Sequence, residues 1–316
     1  MLLEGTVFRV NSGNYFVSTE TGGVIVGKLR GNLKKELVYS TSGSRARRVD
    51  QAKKRRDTDP IAVGDRVKID PDLQMIEDIL PRRTELARRS PSQRGQHTLV
   101  ANLDHLFVVF AAEQPRPDLW LLDRFLVSAE AAEIKASIII NKVDLLGGDD
   151  SEIHDLLLPY EKVGYSVNYA SAREGIGLVE LRDLLRGSIS AFAGPSGVGK
   201  SKLLNALCPG LTLRVGEIGY VTYKGKHTTT TAELIPLEEG RDGWVADTPG
   251  LRQLEFWEVD KEEIMWCFPE FRPFIGSCRF NNCTHRNEET GCAIREAMVA
   301  GEIDERRYKS FCEMSA

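Results

Sequence analysis

The segment from Gly194 to Ser201 carries the residues best suited to binding a nucleoside triphosphate. It reads GPSGVGKS and matches the phosphate-binding P-loop pattern G-x-x-x-x-G-K-[ST]. The glycines let successive backbone N–H groups point at phosphate oxygens, and the helix expected to begin there adds its positive dipole end. Lys200 would reach the β- and γ-phosphates, and Ser201 would ligate Mg²⁺. An apolar strand before the segment and an amphipathic run after it favour a P-loop over a chance glycine-rich turn.

A second motif, Asn141-Lys142-Val143-Asp144, follows a predicted strand. Asp144 can accept two hydrogen bonds from N1–H and the exocyclic amine of guanine, a pair of donors that adenine lacks. The aliphatic stem of Lys142 can pack along the base. Ser171 and Ala172 fit the accompanying loop, whose backbone contacts the guanine O6. The pair of motifs predicts GTP as ligand, and the alternative is a P-loop ATPase or kinase with a fortuitous N-K-V-D.

Asp247-Thr248-Pro249-Gly250 follows a further predicted strand. Asp247 would hold Mg²⁺ through water, and the Gly250 N–H would sense the γ-phosphate. The preceding loop, KGKHTTTT at 224–231, offers a threonine that closes over Mg²⁺. We predict Thr229, with its neighbours as alternatives. Taken alone, this loop also fits a polar surface turn. The predicted GTP-binding residues are Asn141, Lys142, Val143, Asp144, Ser171, Ala172, Gly194, Pro195, Ser196, Gly197, Val198, Gly199, Lys200, Ser201, Lys202, Asp247 and Gly250.

The residue after D-T-P-G determines how water is positioned for hydrolysis. Glutamine often stands there in GTPases, but this chain has Leu251, which cannot orient a water molecule. The sequence therefore predicts slow intrinsic hydrolysis, with the missing group supplied by a moving loop or by a partner. His227 is the internal candidate, and the alternative is that it only caps the loop or contacts phosphate. The predicted catalytic residues are His227, Lys200 and Thr229.

Near the C-terminus, four soft ligands lie within fifteen residues: Cys278, Cys283, His285 and Cys292. Such a set can form a closed, tetrahedral and therefore structural zinc site. The spacing is not that of a standard finger, and the alternative is four unrelated side chains. Cys208, Cys267 and Cys312 lack ligand spacing and are predicted to be small buried hydrophobes.

Composition limits the class of protein. A chain of 316 residues allows two or three domains, and 41% hydrophobic with 28% charged residues indicates folded domains rather than disorder. Six cysteines are too few for a disulfide scaffold. The start, MLLEGTVFRV, has no basic leader, and apolar runs such as that at 106–112 are far shorter than a membrane helix. We expect a soluble, cytoplasmic protein without a membrane partner.

Positive charge is concentrated at the front of the chain. Residues 1–100 contain 19 Lys and Arg against 12 Asp and Glu, whereas the rest contains 23 against 34. The segment Ser40–Pro60 reads as a solvated, mobile loop, and a second basic cluster follows at Arg82, Arg83, Arg88, Arg89 and Arg94. Basic loops often fold onto nucleic acid. We predict RNA contacts from Arg45, Arg47, Arg48, Lys53, Lys54, Arg55 and Arg56.

The element pattern divides the chain into three predicted domains. Short strands at about 7–10, 15–18, 24–29, 63–69 and 73–80 favour a small barrel such as an OB-fold over residues 1–83, although they fit other β-rich modules. Strands and helices alternate over 97–254, which implies a parallel sheet with helices on both faces. Residues 255–316 contain the Cys/His cluster, an apolar run over Ile264–Phe274 and two short predicted helices.

The nucleotide motifs occur in an unusual order, because N-K-V-D and S-A precede the P-loop, the threonine loop and D-T-P-G. Loops at one sheet edge hold the nucleotide, so joining the old termini and cutting elsewhere would leave the site intact. The cut falls after D-T-P-G, and the segment that follows must anchor this new end.

With these motifs the chain resembles the circularly permuted GTPases, and among them the RsgA family of ribosome small-subunit-dependent GTPases. The resemblance implies an α/β fold in which a circularly permuted P-loop GTPase domain is flanked by an N-terminal OB-like β-barrel and a C-terminal α-helical zinc-binding domain. It implies Mg²⁺ with GTP, a structural Zn²⁺, and stimulation by the small ribosomal subunit late in its assembly. The barrel and the zinc domain would touch ribosomal RNA. The competing interpretation is an RNA-binding module regulated by GTP and GDP, and we expect a monomer.

Overall fold

The computed structural model describes residues 1–39, 49–54, 60–89, 96–208, 232–237, 243–247, 259, 261–286 and 290–316. Across these ranges the helices are all too short or too polar to cross a bilayer. One eleven-stranded sheet runs from the N-terminal barrel into the α/β domain.

The N-terminal strands close into a five-stranded barrel. The first seven strands of the chain are β1 (Leu3–Asn11), β2 (Asn14–Thr19), β3 (Val24–Leu29), β4 (Lys35–Tyr39), β5 (Val49–Lys54), β6 (Arg66–Asp70) and β7 (Met75–Ile79). Pairing in the order β1-β2-β3-β7-β6 is closed by a further ladder between β6 and β1. Alternate side chains such as Val7, Val17 and Ile69 fill the interior. The predicted N-terminal barrel is confirmed.

The predicted loop over Ser40–Pro60 is wrong in its middle part. Residues 49–54 form β5, which pairs antiparallel with β4. Backbone hydrogen bonds between the two strands hold this highly charged segment extended, and its composition gives no alternating apolar pattern that would indicate a strand. Residues 40–48 and 55–59 lie outside the described part of the chain.

A hairpin of β8 (Glu85–Arg89) and β9 (Gln96–Ala101) connects the barrel to the next domain. Just before it, Arg82 donates from Nε and Nη2 to the two carboxylate oxygens of Asp65, at 2.7 and 2.8 Å. Asp65 is fully buried and also accepts from the backbone N–H of Ala62. Arg82, the first residue of the second basic cluster, therefore forms an internal ion pair with Asp65.

The central domain is built on six strands: β10 (His105–Ala111), β11 (Lys135–Asn141), β12 (Ser166–Tyr169), β13 (Ile189–Ala193), β14 (Glu233–Pro236) and β15 (Trp244–Asp247). Their order is β12-β11-β10-β13-β15-β14, and the first five are parallel. Strand β14 runs antiparallel to β15 on one side and to β1 on the other. The predicted parallel sheet is confirmed, whereas β14 was not predicted because its four residues carry too little pattern.

Helices cover both faces of this sheet. They are α1 (Leu119–Ala131), α2 (Ser151–Val163), α3 (Leu178–Leu185) and α4 (Lys200–Leu207). Leu122 of α1 and Leu157 of α2 pack into one core, and Leu181 of α3 and Leu203 of α4 pack into the other. Because both faces are covered, strand β10 is buried along its whole length, as its continuous apolar sequence predicts.

The C-terminal region is helical. Two 3₁₀ turns, Ile264–Cys267 and Pro269–Phe274, precede α5 (Ala293–Val299) and α6 (Glu305–Met314). Asp304 caps α6 by accepting from the backbone N–H groups of Arg306 and Arg307. Three phenylalanines, at positions 268, 271 and 311, form the centre of this core, and Val127 of α1 packs into it from the central domain.

Candidate functional site

The P-loop spans the turn between buried strand β13 and the first turn of α4. Gly194 directly follows β13 with φ 139°, and a Cβ there would lie 2.1 Å from the carbonyl oxygen of Val109. Gly199 has φ 94°, and a Cβ there would lie 2.5 Å from Nδ2 of Asn141. Both positions therefore require glycine. The close approach brings the loop backbone against β10 and against the N-K-V-D segment.

Lys200 begins α4 and bends back over the loop. Its Nζ donates to the carbonyl oxygens of Gly194 at 2.6 Å and Pro195 at 2.7 Å. The ammonium thus lies within the P-loop, where such lysines meet the β- and γ-phosphates. Ser201, half-buried, lies in the same first helical turn. A hydroxyl at this place is a Mg²⁺ ligand in P-loop proteins.

Asn141 joins three of the predicted motifs. It ends β11 and is buried, and its Nδ2 donates to the carbonyl oxygen of Val198 in the P-loop at 2.9 Å. Its Oδ1 accepts from the backbone N–H of Ala172 at 3.1 Å. The structure therefore brings N-K-V-D, the Ser171-Ala172 loop and the P-loop into direct contact. In this arrangement the Ala172 N–H, which we expected to face the guanine, donates its hydrogen bond to Asn141 instead.

The carboxylate of Asp144 is held in a fixed orientation. Ser171 donates from Oγ to Asp144 Oδ1 at 2.6 Å, and the same hydroxyl accepts from the backbone N–H of Glu174 at 3.1 Å. Ser171 is fully buried, so its hydroxyl stays in place. Sequence reasoning predicted a backbone role for Ser171 and missed this side-chain role. A carboxylate fixed in this way can accept from paired donors on a base, because each of its oxygens has two lone pairs.

Two further residues near the nucleotide loops, Gln114 and Pro115, were missed by the sequence analysis. Lys142, with φ 63°, donates from Nζ to the carbonyl oxygen of Gln114. Pro115 lies against the P-loop, because a Cβ on Gly197 would be 3.8 Å from the proline Cδ. Gln114 and Pro115 follow β10. The rule that ligands bind beyond the carboxyl ends of parallel strands was the signal available to find them.

Asp247 is the last residue of β15 and is half-buried. Strands β13 and β15 are parallel neighbours, with Ala191 opposite Ala246. Asp247 therefore lies at the same sheet edge as the P-loop that follows β13. Three predicted site residues, His227, Thr229 and Gly250, lie outside the described part of the chain, as does Leu251.

The four predicted zinc ligands form a cluster. The Sγ atoms of Cys278, Cys283 and Cys292 and a ring nitrogen of His285 all lie within 4.8 Å of one another. His285 Nδ1 is 3.4 Å from Cys278 Sγ and 3.6 Å from Cys292 Sγ. A tetrahedral zinc with ordinary bond lengths places S and N ligands about 3.6 Å apart. The donor set and its spacing therefore fit Zn²⁺, with every tetrahedral position supplied by protein.

The surroundings of the cluster support its ligands. The backbone N–H of Ala293 donates to Cys278 Sγ at 3.3 Å, and Tyr308 donates from its hydroxyl to the carbonyl oxygen of His285 at 2.9 Å. His285 has φ 61°, an uncommon conformation for histidine that the Tyr308 bond helps to hold. Such outer contacts orient metal ligands.

The predicted RNA-binding residues are only partly described. Lys53 and Lys54 end strand β5. The other five lie outside the described residues, namely Arg45, Arg47, Arg48, Arg55 and Arg56.

Comparison with known proteins shows to which family the chain belongs. A family model described as RsgA GTPase matches residues 79–257, more than half of the sequence. The chain belongs to the RsgA GTPase family. The RsgA of Gemmatimonas aurantiaca, named a small ribosomal subunit biogenesis GTPase, is 43% identical, and the alignment covers 98% of this chain and 95% of that protein. The RsgA of Moorella thermoacetica is 40% identical, with the same coverage of both proteins.

Solved structures show the same fold for this RsgA chain. YjeQ from Thermotoga maritima superposes with a TM-score of 0.77 at 34% identity, covering 100% of this chain and 98% of that one. YloQ, described as a circularly permuted GTPase, gives a TM-score of 0.74 at 30% identity, with coverage of 100% and 94%. The circularly permuted GTPase fold predicted from the motif order is confirmed.

Proposed function

We propose that this RsgA chain hydrolyses GTP to GDP and phosphate, that the small ribosomal subunit stimulates hydrolysis, and that the chain acts in late maturation of that subunit. The hydrogen bond from Asn141 to Val198 carries the proposal, because it joins guanine-reading and phosphate-binding motifs in one site. The names of the RsgA relatives support the partner. The chain would act as a monomer in the cytoplasm, where assembling subunits are found.

Base selection rests on Asp144. Its carboxylate, oriented by Ser171, would accept hydrogen bonds from N1–H and the exocyclic amine of guanine. Adenine would leave the carboxylate unpaired at the edge of the base, which disfavours ATP. Lys142, tethered to Gln114, would lie along the base plane. The remaining predicted residues of N-K-V-D and of the Ser171-Ala172 loop shape this side of the pocket.

Phosphate binding rests on the P-loop. The backbone N–H groups from Gly194 to Ser201 and the Lys200 ammonium would cradle the phosphates, and Lys202 continues the same helical turn. Ser201, Thr229 and Asp247 would hold Mg²⁺, which when bound neutralises charge on the β- and γ-phosphate oxygens. The Gly250 N–H would contact the γ-phosphate. These roles are assigned from the motifs.

Hydrolysis requires a positioned water. Leu251 cannot orient one, so His227 in the threonine loop is our internal candidate, and a group supplied by the ribosomal subunit is the alternative. We expect His227→Ala to lower the subunit-stimulated turnover and to leave GTP affinity unchanged. Unchanged turnover would remove His227 from the mechanism.

The cysteine and histidine cluster would hold a structural Zn²⁺ that keeps the C-terminal domain folded against α1. This domain follows D-T-P-G in sequence, so it would anchor the segment that senses the γ-phosphate. The seven basic residues between Arg45 and Arg56 would contact ribosomal RNA. Neutralising them should flatten the salt dependence of subunit binding and leave GTP affinity unchanged, because released counterions set that dependence.

Two measurements test the function. Titration with GTP, GDP and ATP should show tight binding of both guanine nucleotides and weak binding of ATP, and equal affinity for ATP would contradict the assignment of the base site. GTP hydrolysis should then be measured alone and with small subunits, large subunits or free RNA. Selective acceleration by small subunits is expected. Without it, the competing function of a nucleotide-regulated RNA-binding module would stand instead.

A further inference from the structure

Strand β1 belongs to two cores at once. Val7 points into the barrel, whereas Phe8, at a register shift in the β1–β2 pairing, packs against the core of the GTPase domain. Phe8 also stacks on Trp244 of β15, with ring centroids 5.8 Å apart and an interplanar angle of 18°. A shift in β1 therefore reaches β15 through direct side-chain contact.

A row of three residues crosses from the barrel to the nucleotide edge. Arg9 of β1 is the register partner of Glu233 on β14, and Glu233 is the register partner of Asp247 on β15. Directly opposed residues on paired strands point to the same face of a sheet, so the three side chains share a face. Asp247 is the carboxylate assigned to Mg²⁺. The barrel is thus two strands away from the metal-binding edge.

The first contact in this row, between Arg9 and Glu233, is a hydrogen-bonded ion pair. Arg9 donates from Nε to Glu233 Oε1 at 2.8 Å, and its Nη2 contacts the same oxygen. The guanidinium also lies over the ring of Phe16 on β2, 5.4 Å from the centroid, which fixes it to the barrel. Glu233 is the first residue of β14 and follows the threonine loop closely in sequence. The pair therefore ties the barrel to the strand that continues from this loop.

The two domains meet here beside open space. A crevice of about 260 Å³ lies on the same seam, bounded by Thr6, Glu20 and Arg66 of the barrel and by Trp244. Beside this crevice, the barrel is joined to β14 and β15 by the β1–β14 pairing, the Arg9–Glu233 ion pair and the Phe8–Trp244 stack.

We propose that Arg9 is a positioning residue that couples the barrel to hydrolysis. By holding Glu233, Arg9 sets the position of β14, and hence that of its register partner Asp247, according to the position of the barrel on its RNA partner. The proposal rests on the proposed function, since it specifies how subunit binding by the barrel stimulates GTP hydrolysis. Arg9 itself lies two strands from Asp247 and is not among the residues assigned to nucleotide or metal binding.

The test compares subunit-stimulated with intrinsic hydrolysis in full-length variants. Arg9→Met should lower the maximal rate at saturating small subunits by about 5-fold, the size of a modest coupling between sites. The intrinsic rate, the GTP affinity and the half-saturating subunit concentration should stay within about 2-fold. Arg9→Lys should lose less of the subunit-stimulated rate than Arg9→Met, because lysine keeps the positive charge. The charge swap Arg9→Glu with Glu233→Arg should restore most of the stimulation.

Arg30→Met is the matched control. Arg30, directly after β3, pairs with Glu77 of β7 within the barrel, and this pair is also partly exposed. This variant should keep full stimulation. The inference is wrong if Arg9→Met keeps full stimulation, if Arg30→Met loses as much, if only the half-saturating subunit concentration rises, or if the charge swap fails to restore the rate. Failure of the wild-type protein to respond to small subunits would instead overturn the proposed function.

Discussion

Arg307 donates from Nη1 to Asp123 Oδ1 at 2.7 Å across the boundary between the C-terminal helices and α1. The two side chains are only 1% and 2% exposed. The other edge of the guanidinium meets both carboxylate oxygens of Glu270, at 2.7 and 3.0 Å, and Tyr160 donates to the same oxygen of Asp123. One arginine thus satisfies two buried carboxylates and joins the zinc-binding region to the GTPase domain.

Replacing Arg307 should weaken the contact between these two domains and lower the stability of the protein. Arg307→Met would leave Asp123 and Glu270 buried without their cation, a change that typically costs about 3–5 kcal/mol. Urea unfolding should show this loss in the free energy of unfolding. Arg306→Met removes a neighbouring, half-exposed arginine paired with Asp304 and should cost less than about 1 kcal/mol. Equal effects of the two substitutions would contradict the role of the buried pair.

The deficit of Arg307→Met should depend on pH. Burial raises the pKa of Asp123, and Arg307 opposes that rise. In the variant the folded-state pKa of Asp123 rises further above its unfolded value, so the folded protein binds a proton that the unfolded chain releases. Stability of the variant should therefore recover as pH falls through that folded-state pKa. A deficit that stays constant from neutral to mildly acidic pH would argue against an uncompensated Asp123.

Asp144→Asn should change the preferred base. The amide can no longer accept from both guanine donors, so GTP affinity should fall by about 100-fold or more, whereas xanthosine triphosphate, with a carbonyl in place of the amine, should bind better than GTP. Calorimetric titration with both nucleotides checks this. Full guanine selectivity in the variant would refute the base-reading role of Asp144.

A pair of glycines tests the contact between the P-loop and N-K-V-D. Gly199 and Gly187 both have positive φ, at 94° and 66°, but only at Gly199 would a Cβ collide with a neighbour, Nδ2 of Asn141 at 2.5 Å. Both alanine variants should lose about 1 kcal/mol of stability from backbone strain. Gly199→Ala alone should abolish measurable GTP binding. Comparable GTP affinity in the two variants would show that the contact is dispensable.

The motif order and the alternation of strands and helices were enough to predict the parallel sheet, its permutation and the barrel. Those features depend on long apolar runs and on glycines with fixed roles, which are visible in sequence. Strand β5 was not predicted because its stability comes from pairing with β4, while its own residues are charged. The partner of Arg82 was missed for a related reason, since nothing in sequence shows that Asp65 is buried beside it.

Within the site, the residues that contact nucleotide in other GTPases were predictable, and the residues that hold them were not. Ser171 orients Asp144 through its side chain, and Gln114 anchors Lys142 through a backbone carbonyl. A backbone acceptor leaves no signature in residue type. The coupling row of Arg9, Glu233 and Asp247 depends on strand register between two domains, which a single sequence does not reveal.

The zinc cluster gives a prediction about metal retention. Cys283→Ser should release zinc, and Tyr308→Phe should lower zinc affinity by about 10-fold, because it removes the hydrogen bond to the His285 carbonyl oxygen. Metal content and chelator competition measure both effects. Cys267→Ser is the control, since this buried thiol donates to the Glu263 carbonyl oxygen in the same core and a hydroxyl can replace it. Loss of zinc from Cys267→Ser but not from Cys283→Ser would contradict the ligand assignment.

His105 predicts how acid affects the fold. Burial, together with the nearby charge of Lys135 and partly opposed by Asp104, lowers the pKa of His105 to about 4. The neutral ring bonds to Ser137 Oγ at 2.8 Å. The unfolded chain takes up a proton near pH 6.5 that the folded protein accepts only near pH 4, so stability should fall by roughly 2 kcal/mol as pH drops between these values. His105→Gln should remove this part of the loss in urea unfolding, whereas His154→Gln, at an exposed histidine, should leave it unchanged. If His105→Gln keeps the full loss, other groups cause it.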